Sequence, residues 1–142
     1  MTFDLTAPVP QLVKKNILIV DDHPFIIEGY KNAITRYNPN KYEFFILQAH
    51  DCKSGYDLIE DAQTPEFDVA FLDISMPPYE EKNIFSGEDL AKLLSVKMPS
   101  CKIILLTMYT ELLKIKTIIR AIQPNGLIIK KNNKTLIIFV FK

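Results

Sequence analysis

Five side chains with chemistry to offer stand where short apolar runs end. I-L-I-V precedes Asp21 and Asp22, V-A-F-L precedes Asp73, I-I-L-L precedes Thr107, and L-I-I precedes Lys130. Three carboxylates gathered at one spot repel one another: two unit charges about 4 Å apart cost roughly 4 kcal/mol at an effective dielectric of 20. Either some of them hold protons or a cation sits among them. A hard divalent cation with oxygen ligands answers this most simply, and Mg²⁺ suits an open site that keeps several waters. Lys130 adds a fixed positive charge, and Thr107 adds a hydroxyl able to bond a phosphoryl oxygen. Such a set can receive a phosphoryl group, with a carboxylate as nucleophile, cationic groups neutralising charge and a hydroxyl orienting the group.

That chemistry requires the five residues to meet, so the elements carrying them must be strands of one sheet. Asn16 to Val20, Tyr42 to Ala49, Val69 to Asp73, Lys102 to Thr107 and Leu127 to Lys130 read as strands, being apolar runs bounded by turn residues. Between them lie helical patterns: Pro24 to about Tyr37, Ser54 to near Thr64, Gly87 to Lys97 and Glu111 to Ala121. Strands alternating with helices predict a parallel sheet with both faces covered and right-handed crossovers. In such a sheet the carboxyl ends of the strands share one edge, where ligands bind. Pro77 to Ser86 reads as a long polar loop. Residues 1–14 read as a flexible leader and 15–142 as one domain. Rhythm predicts a short or truncated final helix over 132–142, although the unbroken apolar run from Leu136 to Phe141 is equally a strand pattern.

The 142 residues suit a single domain, and 48% apolar residues are enough for a real core. A formal net charge of zero gives no electrostatic footprint for nucleic acid or a membrane surface. No apolar stretch is long enough for a membrane helix, and no signal peptide is visible. Cys52 and Cys101 have neither metal nor CxxC spacing and read as buried apolar residues in a reducing compartment, hence a cytoplasmic protein.

The strings I-L-I-V-D-D-H-P (17–24), F-L-D-I-S-M-P (71–77), I-I-L-L-T-M (103–108) and N-G-L-I-I-K (125–130) together resemble the receiver domain of two-component response regulators. The resemblance is nearest to the receivers of LuxR/NarL-type transcriptional regulators and covers roughly residues 16 to 131. It implies an α/β, flavodoxin-like, doubly wound five-stranded parallel sheet in the order 2-1-3-4-5, with helices on both faces. It also implies Asp73 as phospho-acceptor, Asp22, Asp73 and the Ser75 carbonyl as direct Mg²⁺ ligands, and Asp21 acting mainly through water. Lys130 would pair with the acceptor, and Thr107 would move toward the phosphoryl group. The implied partners are a sensor histidine kinase or phosphotransfer protein and a second copy in a homodimer. DNA would be reached only through an output domain outside this sequence, and transcription controlled in that way. The protein would be no enzyme in the ordinary sense, though it would catalyse its own phosphorylation and dephosphorylation.

Two departures from the family pattern stand out. Leu127 occupies the position of the usual aromatic switch residue, and Gly87 follows Pro77 only after P-Y-E-E-K-N-I-F-S. Two other readings remain at this point. One is a phosphorylation-independent interaction module. The other is a haloacid-dehalogenase-type phosphatase, which would want an acid where this chain has Ser75.

Overall fold

The computed structural model describes residues 11–131 and 134–140. The chain runs β1 (Val13–Val20), α1 (Pro24–Thr35), β2 (Tyr42–Ala49), α2 (Cys52–Glu60), β3 (Val69–Asp73), α3 (Gly87–Lys97), β4 (Lys102–Thr107), α4 (Leu112–Ile122), β5 (Gly126–Lys131) and β6 (Lys134–Val140). The sheet order is β2-β1-β3-β4-β5-β6. The first five strands are parallel, in the order 2-1-3-4-5. β6 is antiparallel to β5, with Gly126 opposite Val140 and Lys131 opposite Lys134.

Two expectations are corrected here. Lys134–Val140 is a strand, not a final helix, and the sheet therefore has six strands. The physical reason is pairing: β5 would otherwise present an open edge, and an apolar run without helical period satisfies it. The leader also ends earlier than residue 14. Val13 and Lys14 pair with Tyr42 and Glu43, so β1 begins at Val13; residues 1–10 of that expected leader lie outside the described residues.

The two faces of the sheet are covered unequally. α2, α3 and α4 pack on one face, over a core that includes Leu18, Val20, Leu72, Leu90, Leu94, Leu105, Ile115 and Leu127. α1 packs on the other through Ile27, over Ile17 and Ile19, with Tyr30 stacked on Phe71. Local chemistry fixes the helix starts. Asp51 caps α2 in a reciprocal capping box with Ser54, and Ser86 caps α3. α1 begins on Pro24, whose missing N–H costs nothing at that position.

The loop after β3 is not the plain polar loop its composition suggests. Tyr79 and Ile84 exchange backbone hydrogen bonds at 2.7 and 3.1 Å across a short 3₁₀ turn, Glu80–Lys82. Asn83 closes that turn at φ 58°, a left-handed conformation that asparagine tolerates. Ile84 is buried, and the Tyr79 ring meets Tyr56 of α2 edge to face at 5.5 Å.

Candidate phosphoryl-receiving site at the strand tips

Register explains how the chemistry is gathered. Val20 is level with Leu72, so Asp21 and Asp73, the next residues, end adjacent strands at the same height. Asp73 is level with Leu106, and Thr107 with Ile129, so Lys130 lies further along and reaches back on its flexible stem. Strand alternation gives Asp21, Asp73 and Lys130 the parity of Ile19, Phe71 and Ile128, whereas Thr107 has the parity of Leu105, on the face of α2, α3 and α4.

The result is a buried ion cluster. Lys130 Nζ donates to Asp73 Oδ2 at 3.0 Å and to Asp21 Oδ2 at 3.1 Å. Asp21 is fully buried, Asp73 is 3% exposed and Lys130 is 8% exposed, so solvent screens little of this interaction. Burial pushes the Asp73 carboxyl up to about 6; the Asp21 charge adds to the rise and Lys130 opposes it. Burial also works against the Lys130 charge, but Asp73 and Asp21 outweigh it and hold the ammonium above its ordinary pKa.

Asp22 stands at the rim, a third exposed. It joins the cluster through His23, whose Nδ1 lies 3.0 Å from Asp22 Oδ1 and 2.9 Å from Asp21 Oδ1. The Ser75 N–H donates to Asp73 Oδ1 at 3.3 Å. Thr107 is buried at the same edge, but its hydroxyl accepts from the Tyr109 N–H at 2.9 Å. The structure thus unites Asp21, Asp73 and Lys130 directly, brings in Asp22 through an imidazole, and leaves Thr107 beside the cluster with a different partner.

Two residues of the site escaped sequence reasoning as participants. One is His23, whose signal was an imidazole directly after two acids. The other is Gly87, whose N–H donates to the Ile74 carbonyl at 2.9 Å, and where a Cβ would meet the Asp73 carbonyl oxygen at 2.0 Å. Only glycine lets α3 start so close to the tip of β3.

The donor set suits a divalent cation. Asp21, Asp22, His23 and Asp73 each offer an atom within 4.8 Å of the others. Three carboxylates face one ammonium, so two negative charges remain to be balanced once all are ionised.

The model of the response regulator receiver domain matches residues 17–140. The chain belongs to that family. It is thus a receiver domain of two-component response regulators, a family of phospho-acceptors. Solved structures agree in fold. The receiver from Methanospirillum hungatei, described as CheY-like, is 26% identical with a TM-score of 0.64, covering 85% of each chain. The response regulator TrrA from Thermotoga maritima, in complex with Mg²⁺ and beryllofluoride, is 28% identical with a TM-score of 0.60, covering 84% of this chain and 89% of that one. RcsB from Salmonella enterica serovar Typhimurium, bound to the promoter rprA in the presence of the phosphomimetic BeF3⁻, is 23% identical with a TM-score of 0.65. That match covers 83% of this chain and 88% of that solved chain and speaks for the fold. Among the described residues, no helix is long and apolar enough to cross a membrane.

Proposed function

We propose that this receiver takes a phosphoryl group on Asp73 and that the occupied site biases a surface read by an output partner. The observation that carries this is the Lys130 ammonium bonded to Asp73 and Asp21 at once, buried at the strand tips. An Asp73 carboxylate oxygen attacks the phosphorus of a phosphohistidine or of a small acyl phosphate. The P–N or P–O bond to the donor breaks, and an acyl phosphate forms on Asp73. The imidazole leaving group takes a proton from solvent, whereas an acyl phosphate leaves its carboxylate. Lys130 holds the acceptor in place and neutralises charge developing on the phosphoryl oxygens.

Asp22, Asp73 and the Ser75 carbonyl would hold Mg²⁺, with Asp21 acting through water. When bound, the ion supplies positive charge toward the phosphoryl oxygens and relieves the repulsion among the carboxylates. Thr107 would give up its bond from Tyr109 N–H to orient the phosphoryl group. Water attack on the acyl phosphate, returning Asp73 and inorganic phosphate, belongs to the same site. A histidine kinase or phosphotransfer protein is the donor class, a second copy of the chain is a partner, and transcription is the controlled process. The last two find support in RcsB, a relative solved on promoter DNA and as dimers bound to DNA.

A phosphorylation-independent module is favoured by one observation. Leu127 is fully buried in the core and has no ring to swing when Thr107 moves. Amide NMR decides between the two. Beryllofluoride with Mg²⁺ should shift resonances around Asp73, Thr107 and Tyr109, and Asp73→Asn should abolish the shifts. Spectra that beryllofluoride leaves unchanged would favour the module.

A further inference from the structure

We propose that His23 selects the cation at the strand tips, supplying a nitrogen ligand that favours borderline divalent ions over Mg²⁺. The inference rests on the cation site proposed above and adds a fourth donor to it. The His23 Nδ1 lies 2.9 Å from Asp21 Oδ1, 3.0 Å from Asp22 Oδ1 and 3.9 Å from Asp73 Oδ2, so it faces all three carboxylates.

Its main chain is fixed. The His23 N–H donates to Asp21 Oδ1 at 2.9 Å, and Pro24 starts α1 immediately after it. Only side-chain rotation can remove the ring from the carboxylates. The ring is half exposed, with 53% of the side chain open to solvent, so that rotation has room.

Ions differ in how they meet this arrangement. Mg²⁺ takes oxygen ligands and holds its waters, so it enters only by displacing the imidazole from Asp21 and Asp22. Imidazole suits ions such as Ni²⁺ and Zn²⁺. For these ions the Nδ1 lone pair binds the metal beside the carboxylates. His23 therefore opposes Mg²⁺ and assists nitrogen-accepting ions from the same position. A raw preference for Ni²⁺ is expected of most nitrogen and oxygen sites, so the informative quantity is how the Ni²⁺/Mg²⁺ affinity ratio changes when the ring is removed.

The test is calorimetric titration of the untagged full chain with Mg²⁺ and, separately, Ni²⁺ at one fixed pH. His23→Ala, His23→Gln and Asp22→Asn are compared with wild type, and His50→Ala controls for the other histidine. His23→Ala should weaken Ni²⁺ by about tenfold or more and leave Mg²⁺ unchanged or tighter. His23→Gln, which keeps a polar side chain but no nitrogen lone pair, should behave as His23→Ala does. Co²⁺ absorption gives a second readout: its visible band should shift on His23→Ala. An unchanged affinity ratio in both variants, or an equal loss for both ions, overturns the role of His23. The two readings fail differently. If Asp22→Asn abolishes binding and His23→Ala leaves the ratio alone, the cation site stands and His23 falls. If neither ion binds wild type, or Asp22→Asn changes nothing, the site itself falls.

Discussion

The two ends of the sheet use their polar side chains in opposite ways. At the end where the strands begin, each polar side chain closes one backbone gap. Asp68 Oδ2 accepts the Asn16 N–H at 2.7 Å, the Asn16 side chain donates to the Glu66 carbonyl at 3.2 Å, and Asn125 Oδ1 accepts the Ile103 N–H at 2.8 Å. At the end where the strands finish, carboxylates crowd around one lysine, and Asp73 is pushed up to about 6, first by burial and then by Asp21. One end uses its polar groups for stability. The other retains repulsion that a bound cation or phosphoryl partner would relieve, and local stability is what it gives up.

The largest expected effect is at Gly87. A Cβ there would sit 2.0 Å from the Asp73 carbonyl oxygen, and a backbone atom cannot step aside cheaply. Gly87→Ala should cost about 3 kcal/mol or more, as overpacking against main chain does. Urea unfolding measures this, and a loss under about 1 kcal/mol would mean the tip of β3 has slack.

Asp73→Asn should stabilise the protein near neutral pH, in contrast to a typical substitution of a buried, bonded group. The sign follows from the raised pKa. Between about 4 and 6 the unfolded chain has released the Asp73 proton while the folded chain still holds it. Wild-type stability therefore falls across that window as pH rises, by on the order of 1–3 kcal/mol, and Asp73→Asn should lack this fall. Parallel stability curves for the two proteins from pH 4 to about 7 would contradict the buried-charge account.

Asn125→Ala tests the other end. It leaves the Ile103 N–H without its partner and should cost about 1–2 kcal/mol, with Mg²⁺ affinity unchanged. A shift in Mg²⁺ affinity would show that the two ends are coupled. The smallest effect belongs to Asp51→Ala, which removes the α2 cap and should cost about 1 kcal/mol. The hydrogen bond from the Ser54 hydroxyl does most to hold the Asp51 carboxyl below its ordinary range. Its contribution is therefore present above the unfolded pKa and is lost as pH falls through the folded one, opposite in direction to Asp73.

Much of this was legible from sequence where local pattern and tertiary role agree. β2, β3, β4 and α3 have the limits their apolar runs and caps imply, because turn residues or capping groups stop each one. Asp73 and Lys130 were readable as neighbours because strand tips in a parallel sheet share an edge, and the family resemblance implied their pairing. What local pattern could not give depended on distant pairing. The start of β1 is set by β2 across the sheet, and β6 is set by the open edge of β5. The ordered turn over 79–84 depends on burying Ile84 and seating Tyr79 on Tyr56, in a stretch whose composition is polar. His23 was passed over because an imidazole beside acids at a turn usually faces solvent. Here its backbone bond to Asp21 holds the ring toward the carboxylates. Cys52 and Cys101 are free and buried as their context implied, and burial pushes their thiols up to about 11 and about 12.

The most direct test of the central claim is an intact-mass and peptide-mapping measurement after incubation with acetyl phosphate and Mg²⁺. The account predicts one added phosphoryl group, mapped to the peptide containing Asp73, absent without Mg²⁺ and absent in Asp73→Asn. A phosphoryl group on another residue, or no adduct on wild type under these conditions, would contradict it.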